Sequence, residues 1–283
     1  MRIKKISHFL NYIKTNYNYL LHKEVKPKYL FYGQLQKKRE KDMLETLNVQ
    51  ISKFKNLNDN EKFIFVEVGS YLGESLKLFG NELNKQLKNF IIISIDPYSS
   101  FINKKDDKED KLSSEDQTKT TYKMDKNISK IYNYFLNNVS NYSFNDKHFH
   151  LKMTSDNAFD LLKKINIKID FCYIDGLHYY QNIKNDYLNY SSILKNESKY
   201  NGMICGDDYE LEFNNFEKYL DITENEFIKI LNDNKSTDYI FLKTKSGVNK
   251  KNKIGFHPGL TLFFSEIKDD VRKFDSGFWK KIN

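Results

Sequence analysis

Phe63-Ile64-Phe65-Val66-Glu67-Val68-Gly69-Ser70-Tyr71-Leu72-Gly73-Glu74-Ser75 decides the fold. A short apolar run enters a turn with two glycines, and from 72 to 87 apolar residues recur at helical spacing. Phe90-Ile91-Ile92-Ile93-Ser94-Ile95-Asp96 is a second apolar run that ends in a carboxylate. Strand, helix and strand in this order lay two strands parallel, and unbroken apolar runs suit strands covered on both faces.

The pattern continues downstream. Helices are expected over 128–139, 157–165 and 180–194, and strands over 148–153, 169–175 and 203–208. Residues 210–254 are polar and read as an insertion with one helix (224–231) and one strand (239–242); a helix over 260–271 and a last strand over 277–282 close the chain. Upstream, 1–60 reads as a helical extension, with apolar faces over 6–13 and 34–54. The charged 99–125 stretch reads as a mobile loop, its 103–120 part being either a lid or plain disorder. The expected fold is α/β, a mostly parallel central sheet flanked by helices, with a domain over 61–283 behind the N-terminal extension.

Composition narrows the function. Lys and Arg exceed Asp and Glu by 46 − 38 = +8, but the excess is dispersed, which describes a solvated surface better than a nucleic-acid face. Cys172 and Cys205 each sit in an apolar run and read as buried small hydrophobes, too few and too far apart for a disulfide scaffold or a cysteine metal site. No apolar stretch has membrane-spanning length and none resembles a signal peptide, so a cytoplasmic protein is expected. Oligomeric state stays open, a homo-oligomer included.

Carboxylates recur where strands end: Glu67, Asp96, Asp175, Asp207 and Asp208. In an open α/β sheet such ends share one rim, where ligands bind. Like charges gathered there repel unless a ligand or cation compensates them. The first turn has neither the dinucleotide G-x-G-x-x-G nor a phosphate-loop lysine. Asp96, 27 residues after Gly69, is placed to accept ribose hydroxyls.

The E-x-G-x-x-x-G-x-S turn (67–75), Ile174-Asp175-Gly176-Leu177-His178-Tyr179-Tyr180, Gly206-Asp207-Asp208-Tyr209 and His257-Pro258-Gly259-Leu260 follow one another in an order that resembles the Methyltransf_24 group. These are class I S-adenosylmethionine (SAM)-dependent methyltransferases with a Rossmann-like fold, related to catechol O-methyltransferase-like and macrolide-sugar O-methyltransferases. The resemblance implies that Glu67, Gly69, Tyr71, Gly73 and Ser75 surround the methionine part of SAM, that Asp96 holds the ribose, and that Ser155 and Asp156 lie beside the adenine. It implies that Asp175, Asp207 and Asp208 bind a divalent metal such as Mg²⁺, with Asp175 beside the reaction, and that His178 is the general base. A bound cation would lower the acceptor hydroxyl's pKa and orient it, and a histidine titrating near neutrality can take the proton. The implied reaction is O-methylation of a small molecule or sugar.

The chain departs from that pattern. Lys195-Asn196-Glu197-Ser198-Lys199-Tyr200-Asn201-Gly202 replaces a shorter Lys-Pro-Gly-Gly turn, and residues 210–254 separate two motifs that usually lie close together. The insertion leaves the acceptor open. A metal-independent N- or C-methyltransferase, or a non-catalytic SAM- or nucleic-acid-binding module, are the competing readings.

Overall fold

The computed structural model describes residues 36–56, 61–99, 128–249 and 251–282. The expected helix over 6–13 and the charged 103–120 stretch lie outside them. Along the chain run α1 (Lys37–Lys55), β1 (Phe63–Val68), α2 (Glu74–Gln86), β2 (Phe90–Ile95), α3 (Ile128–Ser140), β3 (His148–Leu151), α4 (Ser155–Lys164), β4 (Phe171–Ile174) and α5 (Tyr180–Ser192). A small hairpin follows, β5 (Asn196–Glu197) and β6 (Tyr200–Asn201), and then β7 (Met203–Gly206). The remainder is α6 (Phe216–Tyr219), α7 (Glu224–Asp233), β8 (Ile240–Lys243), β9 (Lys253–Phe256), α8 (Pro258–Glu266), β10 (Val271–Lys273) and β11 (Trp279–Lys281).

Seven strands form one sheet in the order β10-β11-β7-β4-β1-β2-β3. β3, β2, β1, β4 and β7 are parallel, while β11 is antiparallel to both β7 and β10. The chain leaves β1 toward β2 and β3, then returns to β4 on the other side of β1. That reversal opens a crevice at the carboxyl ends of β1 and β4, where such sheets take ligands.

Alternation along each strand sorts the core into two layers. Phe63 and Phe65 of β1, Phe171 and Tyr173 of β4, and Met203 and Cys205 of β7 pack with α1, α2 and α3. Val66, Val68, Cys172, Ile174 and Ile204 point the other way, toward α4, α5 and α8. Both cysteines are buried and unbridged. α1 is held by Met43, Leu47, Ile51 and Phe54 on one face. Near its C-terminal end Gln50 Nε2 donates to the Asp170 and Asn201 carbonyls at 3.2 and 2.8 Å. At its other end Arg39 reaches Asp207, just past β7. The helix therefore spans the sheet from the foot of β4 to the functional rim.

Residues 210–254 are less irregular than their composition suggests. Leu211, Phe216, Leu220, Phe227, Leu231, Ile240 and Phe256 make a third apolar cluster, closed by the antiparallel β8–β9 pair. A capping box starts α7: Thr223 Oγ1 accepts the Glu226 N–H, and Glu226 Oε2 accepts the Thr223 N–H. β9 and the short α6 were not legible in the sequence. The helix expected over 260–271 ends at Glu266, and Val271 begins β10 instead. Asp269 and Asp270 would sit unfavourably at a helix C-terminus.

Gly69 has φ +84°, and a β-carbon there would collide with the Asp175 carbonyl. Gly69→Ala therefore carries both a left-handed strain and a backbone clash. It is expected to destabilise the protein by roughly 2 kcal/mol or more, read as a lowered urea midpoint with an unchanged m-value.

Candidate active site

The turn after β1 is tied to its neighbours by backbone bonds: the Gly69 N–H donates to Ile95 O at 2.9 Å, and the Asp175 N–H to Val68 O at 2.7 Å. These bonds bring the ends of β1, β2 and β4 together. Asp96 closes the arrangement by accepting the Ser70 and Tyr71 N–H groups on Oδ2, at 3.1 and 3.0 Å, and the Tyr98 N–H on Oδ1 at 2.9 Å. Burial pushes its carboxyl up, against those three donors. With four lone-pair positions on a carboxylate, one position on Oδ1 remains for a further donor.

Glu67 follows the Phe63–Phe65 face of β1 and is fully buried under α2. The Ser75 hydroxyl donates to its Oε1 at 2.8 Å, while Oε2 is buried without a hydrogen bond among the described residues. Burial raises the carboxyl to about 7, opposed by the Ser75 hydroxyl. Gly73 caps α2 with φ +81°, and its carbonyl accepts the Tyr142 hydroxyl at 2.6 Å. Tyr71, Tyr98 and Asp208 all have positive φ, so non-glycine backbone strain gathers on this rim.

Ser155 and Asp156 stand in the first turn of α4, after β3. Both bond to α5: the Tyr190 hydroxyl donates to the Ser155 carbonyl at 2.9 Å, and Asn189 Nδ2 to Asp156 Oδ1 at 3.3 Å. Asp156 is exposed.

The carboxylates after β4 and β7 converge. Arg39 Nη1 donates to Asp207 Oδ2 at 2.7 Å and to Asp208 Oδ1 at 3.1 Å, and Arg39 Nε donates to Ser276 O at 2.9 Å. The Tyr173 hydroxyl also donates to Asp207 Oδ2, at 3.2 Å, and the Asp208 N–H to Asp207 Oδ1 at 2.6 Å. Burial and the neighbouring Asp208 raise Asp207 to about 7 even beside the guanidinium. Burial, Asp207 and Asp208 together push Asp175 well above the ordinary carboxylate range.

Asp208 Oδ2 faces two imidazoles, His178 Nε2 at 3.9 Å and His257 Nε2 at 4.0 Å. His178 Nε2 is also 4.0 Å from Asp175 Oδ1, and its Nδ1 is 3.6 Å from Asp238 Oδ1. His257 Nδ1 lies 3.2 Å from Glu210 Oε2 and 3.3 Å from Asp208 O. Burial disfavours a charged His257, yet Glu210, Asp208 and Asp238 raise it to about 10, so it is an imidazolium at neutral pH. Burial alone would raise Asp208; His257, His178 and Arg39 hold it below its usual range.

Two sets of side chains could hold a metal. Among the described residues, His178, Asp208 and His257 offer three ligand atoms within 4.8 Å of one another. The set expected from sequence, Asp175, Asp207 and Asp208, is also gathered here, but Asp207 is already taken up by Arg39, Tyr173 and a backbone N–H. Arg39, Asp238 and Glu210 were not found by sequence reasoning, and His257 was seen only as part of a motif. Arg39 carried a usable signal: Arg2, Arg39 and Arg272 are the only arginines among 46 basic residues.

A family described as a methyltransferase domain, Methyltransf_24, matches residues 66–209, just over half of the chain. The chain belongs to this family. It is a class I SAM-dependent methyltransferase, with the Rossmann-like sheet expected of one. No curated protein matches it in sequence. Among solved structures it is similar to CalS11, a TDP-rhamnose 3'-O-methyltransferase of calicheamicin biosynthesis, at 12% identity and TM-score 0.38, over 71% of this chain and 78% of that one. TomG, an O-methyltransferase from Streptomyces achromogenes involved in tomaymycin synthesis and solved with SAM, gives 8%, 0.38, 88% and 82% for the same quantities. The O-methyltransferase NovP gives 15%, 0.38, 60% and 65%. Each is a distant likeness, and nothing about this methyltransferase's chemistry follows from it. No helix among the described residues is long and apolar enough to cross a membrane.

Glu67 sets a pH dependence. A carboxyl whose folded pKa of about 7 exceeds its unfolded value keeps its proton in the folded state. Its contribution to stability is then fully present below the unfolded pKa near 4.3 and is lost as pH rises to about 7, by about 4 kcal/mol in all. Glu67→Gln is expected to remove that part of the slope, measured as urea midpoints between pH 4.5 and 7.5 in the ligand-free protein.

Proposed function

We propose that this methyltransferase acts on a hydroxyl of a small molecule or sugar, with His178 as general base. The observation that carries this is the His178 imidazole itself. It is buried, its Nε2 makes no hydrogen bond among the described residues, and carboxylates of Asp175, Asp208 and Asp238 surround it at 3.6 to 4.0 Å. An imidazole so held, with an open nitrogen, is suited to receive a hydroxyl proton.

Bound SAM would supply a methyl group on a sulfonium, open to in-line attack. The turn residues Glu67, Gly69, Tyr71, Gly73 and Ser75 would hold its methionine part, and the open acceptor on Glu67 Oε2 suits an ammonium donor. Asp96 has one acceptor position left for a ribose hydroxyl. Ser155 and Asp156 would flank the adenine from the start of α4. The acceptor would enter beside His178, with Asp175 in contact with the reacting groups and the insertion over 210–254 forming a wall through Glu210 and Asp238. We read 61–283 as the methyltransferase unit and 1–60 as its extension, in a cytoplasmic setting. A divalent metal on Asp175, Asp207 and Asp208 would find one lone-pair position left on Asp207, on Oδ1, and could not bridge Asp207 Oδ2 and Asp208 Oδ1 without displacing the Arg39 guanidinium that stands between them.

Calorimetric titration is expected to give micromolar SAM binding that Asp96→Ala abolishes; a wild-type chain that takes up no SAM would sink the reading. With an acceptor found by screening sugars and catechol-like hydroxyls, His178→Ala should lower kcat by roughly 10²–10⁴-fold while SAM affinity stays within a factor of about two to three.

A further inference from the structure

Resting on that reading of the rim, we propose that Arg39 is the resident cation of the acceptor site: its guanidinium holds the place between Asp207 and Asp208 that a divalent metal would need, and methyl transfer proceeds without a metal cofactor. Nη1 is shared between the two carboxylates at 2.7 and 3.1 Å, and the side chain is only 14% exposed. Each Asp207 oxygen already accepts a donor, and one lone-pair position remains, on Oδ1. Its Oδ2 takes Arg39 and Tyr173, and its Oδ1 takes the Asp208 N–H. A metal would have to displace Arg39 before it could bridge Asp207 Oδ2 and Asp208 Oδ1.

Arg39 is fixed from behind. Nε donates to the Ser276 carbonyl at 2.9 Å, and the Ser276 hydroxyl donates to Asp42, one turn further along α1. A β-carbon on Gly277 would come within 2.9 Å of Arg39 Nη2, so the turn after β10 leaves room for the fork. Lysine has one ammonium and cannot satisfy Asp207, Asp208 and a backbone carbonyl in this fixed geometry. In a chain whose cations are almost all lysine, the arginine is the residue this spot requires. His257 lies on the far side of Asp208, with its Nδ1 against Glu210 and the Asp208 carbonyl. Arg39 is a positioning residue: it holds Asp207 and Asp208, and through Asp208 the field around His178, without needing to touch the acceptor.

The test uses the full chain after treatment with chelator. Mn²⁺ binding is followed by electron paramagnetic resonance, and SAM binding by calorimetry, on wild type, Arg39→Met and Arg39→Lys. Wild type is expected to bind no Mn²⁺ at stoichiometric concentration and to keep its turnover in EDTA. Arg39→Met should acquire one Mn²⁺ site per chain, lose roughly 10²-fold in turnover in EDTA, and regain it when Mn²⁺ or Mg²⁺ is added. Arg39→Lys should fall between the two. A wild-type chain that binds one Mn²⁺ or Zn²⁺ tightly, unchanged in Arg39→Met, would overturn the proposal and assign a metal to His178, Asp208 and His257. Loss of wild-type turnover in EDTA would overturn it too. If Arg39→Met does not fold, Arg39→Gln, which keeps hydrogen-bonding atoms without the charge, is read by the same Mn²⁺ titration. Absence of SAM binding in wild type would remove the methyltransferase reading, while the Mn²⁺ titration would still judge Arg39.

Discussion

The 2.7 Å contact between Arg39 and Asp207 joins a helix outside the βα units to the strand end where negative charge is densest. Asp175, Asp207, Asp208, Glu210 and Asp238 converge on that rim, and burial makes every uncompensated charge among them costly. The result is visible in the carboxyls themselves: Asp175 and Asp207 are pushed up, while Asp208, between the guanidinium and the imidazoles, is held down. Removing one partner of such a buried set costs more than the set contributes when whole, about 3–5 kcal/mol. The position of α1, with Gln50 bonded at the foot of the sheet and Arg39 at its head, is thereby coupled to the electrostatics of the site.

The parallel sheet was legible because both-face burial writes itself as nearly continuous apolar runs, and Phe63–Val68, Phe90–Ile95, Phe171–Ile174 and Met203–Gly206 each sit inside one, with Glu67 and Ser94 the polar exceptions in the first two. The carboxylates at their ends were legible for the same reason, since position along a buried strand fixes which end reaches the rim. What the sequence hid is contact between distant segments. Arg39 lies 168 residues from Asp207, in a helix whose pattern announces only its apolar face. Asp238 and Glu210 sit in a segment that reads as polar and irregular, because its apolar residues are spread over several short elements. The resemblance pointed to a metal at Asp207, and no motif contains the guanidinium found there.

Backbone strain gathers where the chain turns sharply past the strand ends. Tyr71 and Tyr98, at φ 41° and 45°, carry N–H groups that bond to Asp96, and Asp208, at φ 64°, bonds back to Asp207 through its own N–H. In each case a carboxylate accepts the N–H of a residue in an unfavourable conformation. The acid that shapes the rim also holds its backbone in place.

The insertion's separate apolar cluster has a consequence for how such an enzyme can diversify. Leu211, Phe227, Ile240 and Phe256 bury one another within that cluster, so sequence drift among them need not disturb the sheet that carries the methyl-transfer machinery. Only a few of its groups face inward, among them Glu210 and Asp238. Such a block can repack within itself while the parallel strands keep their order and register.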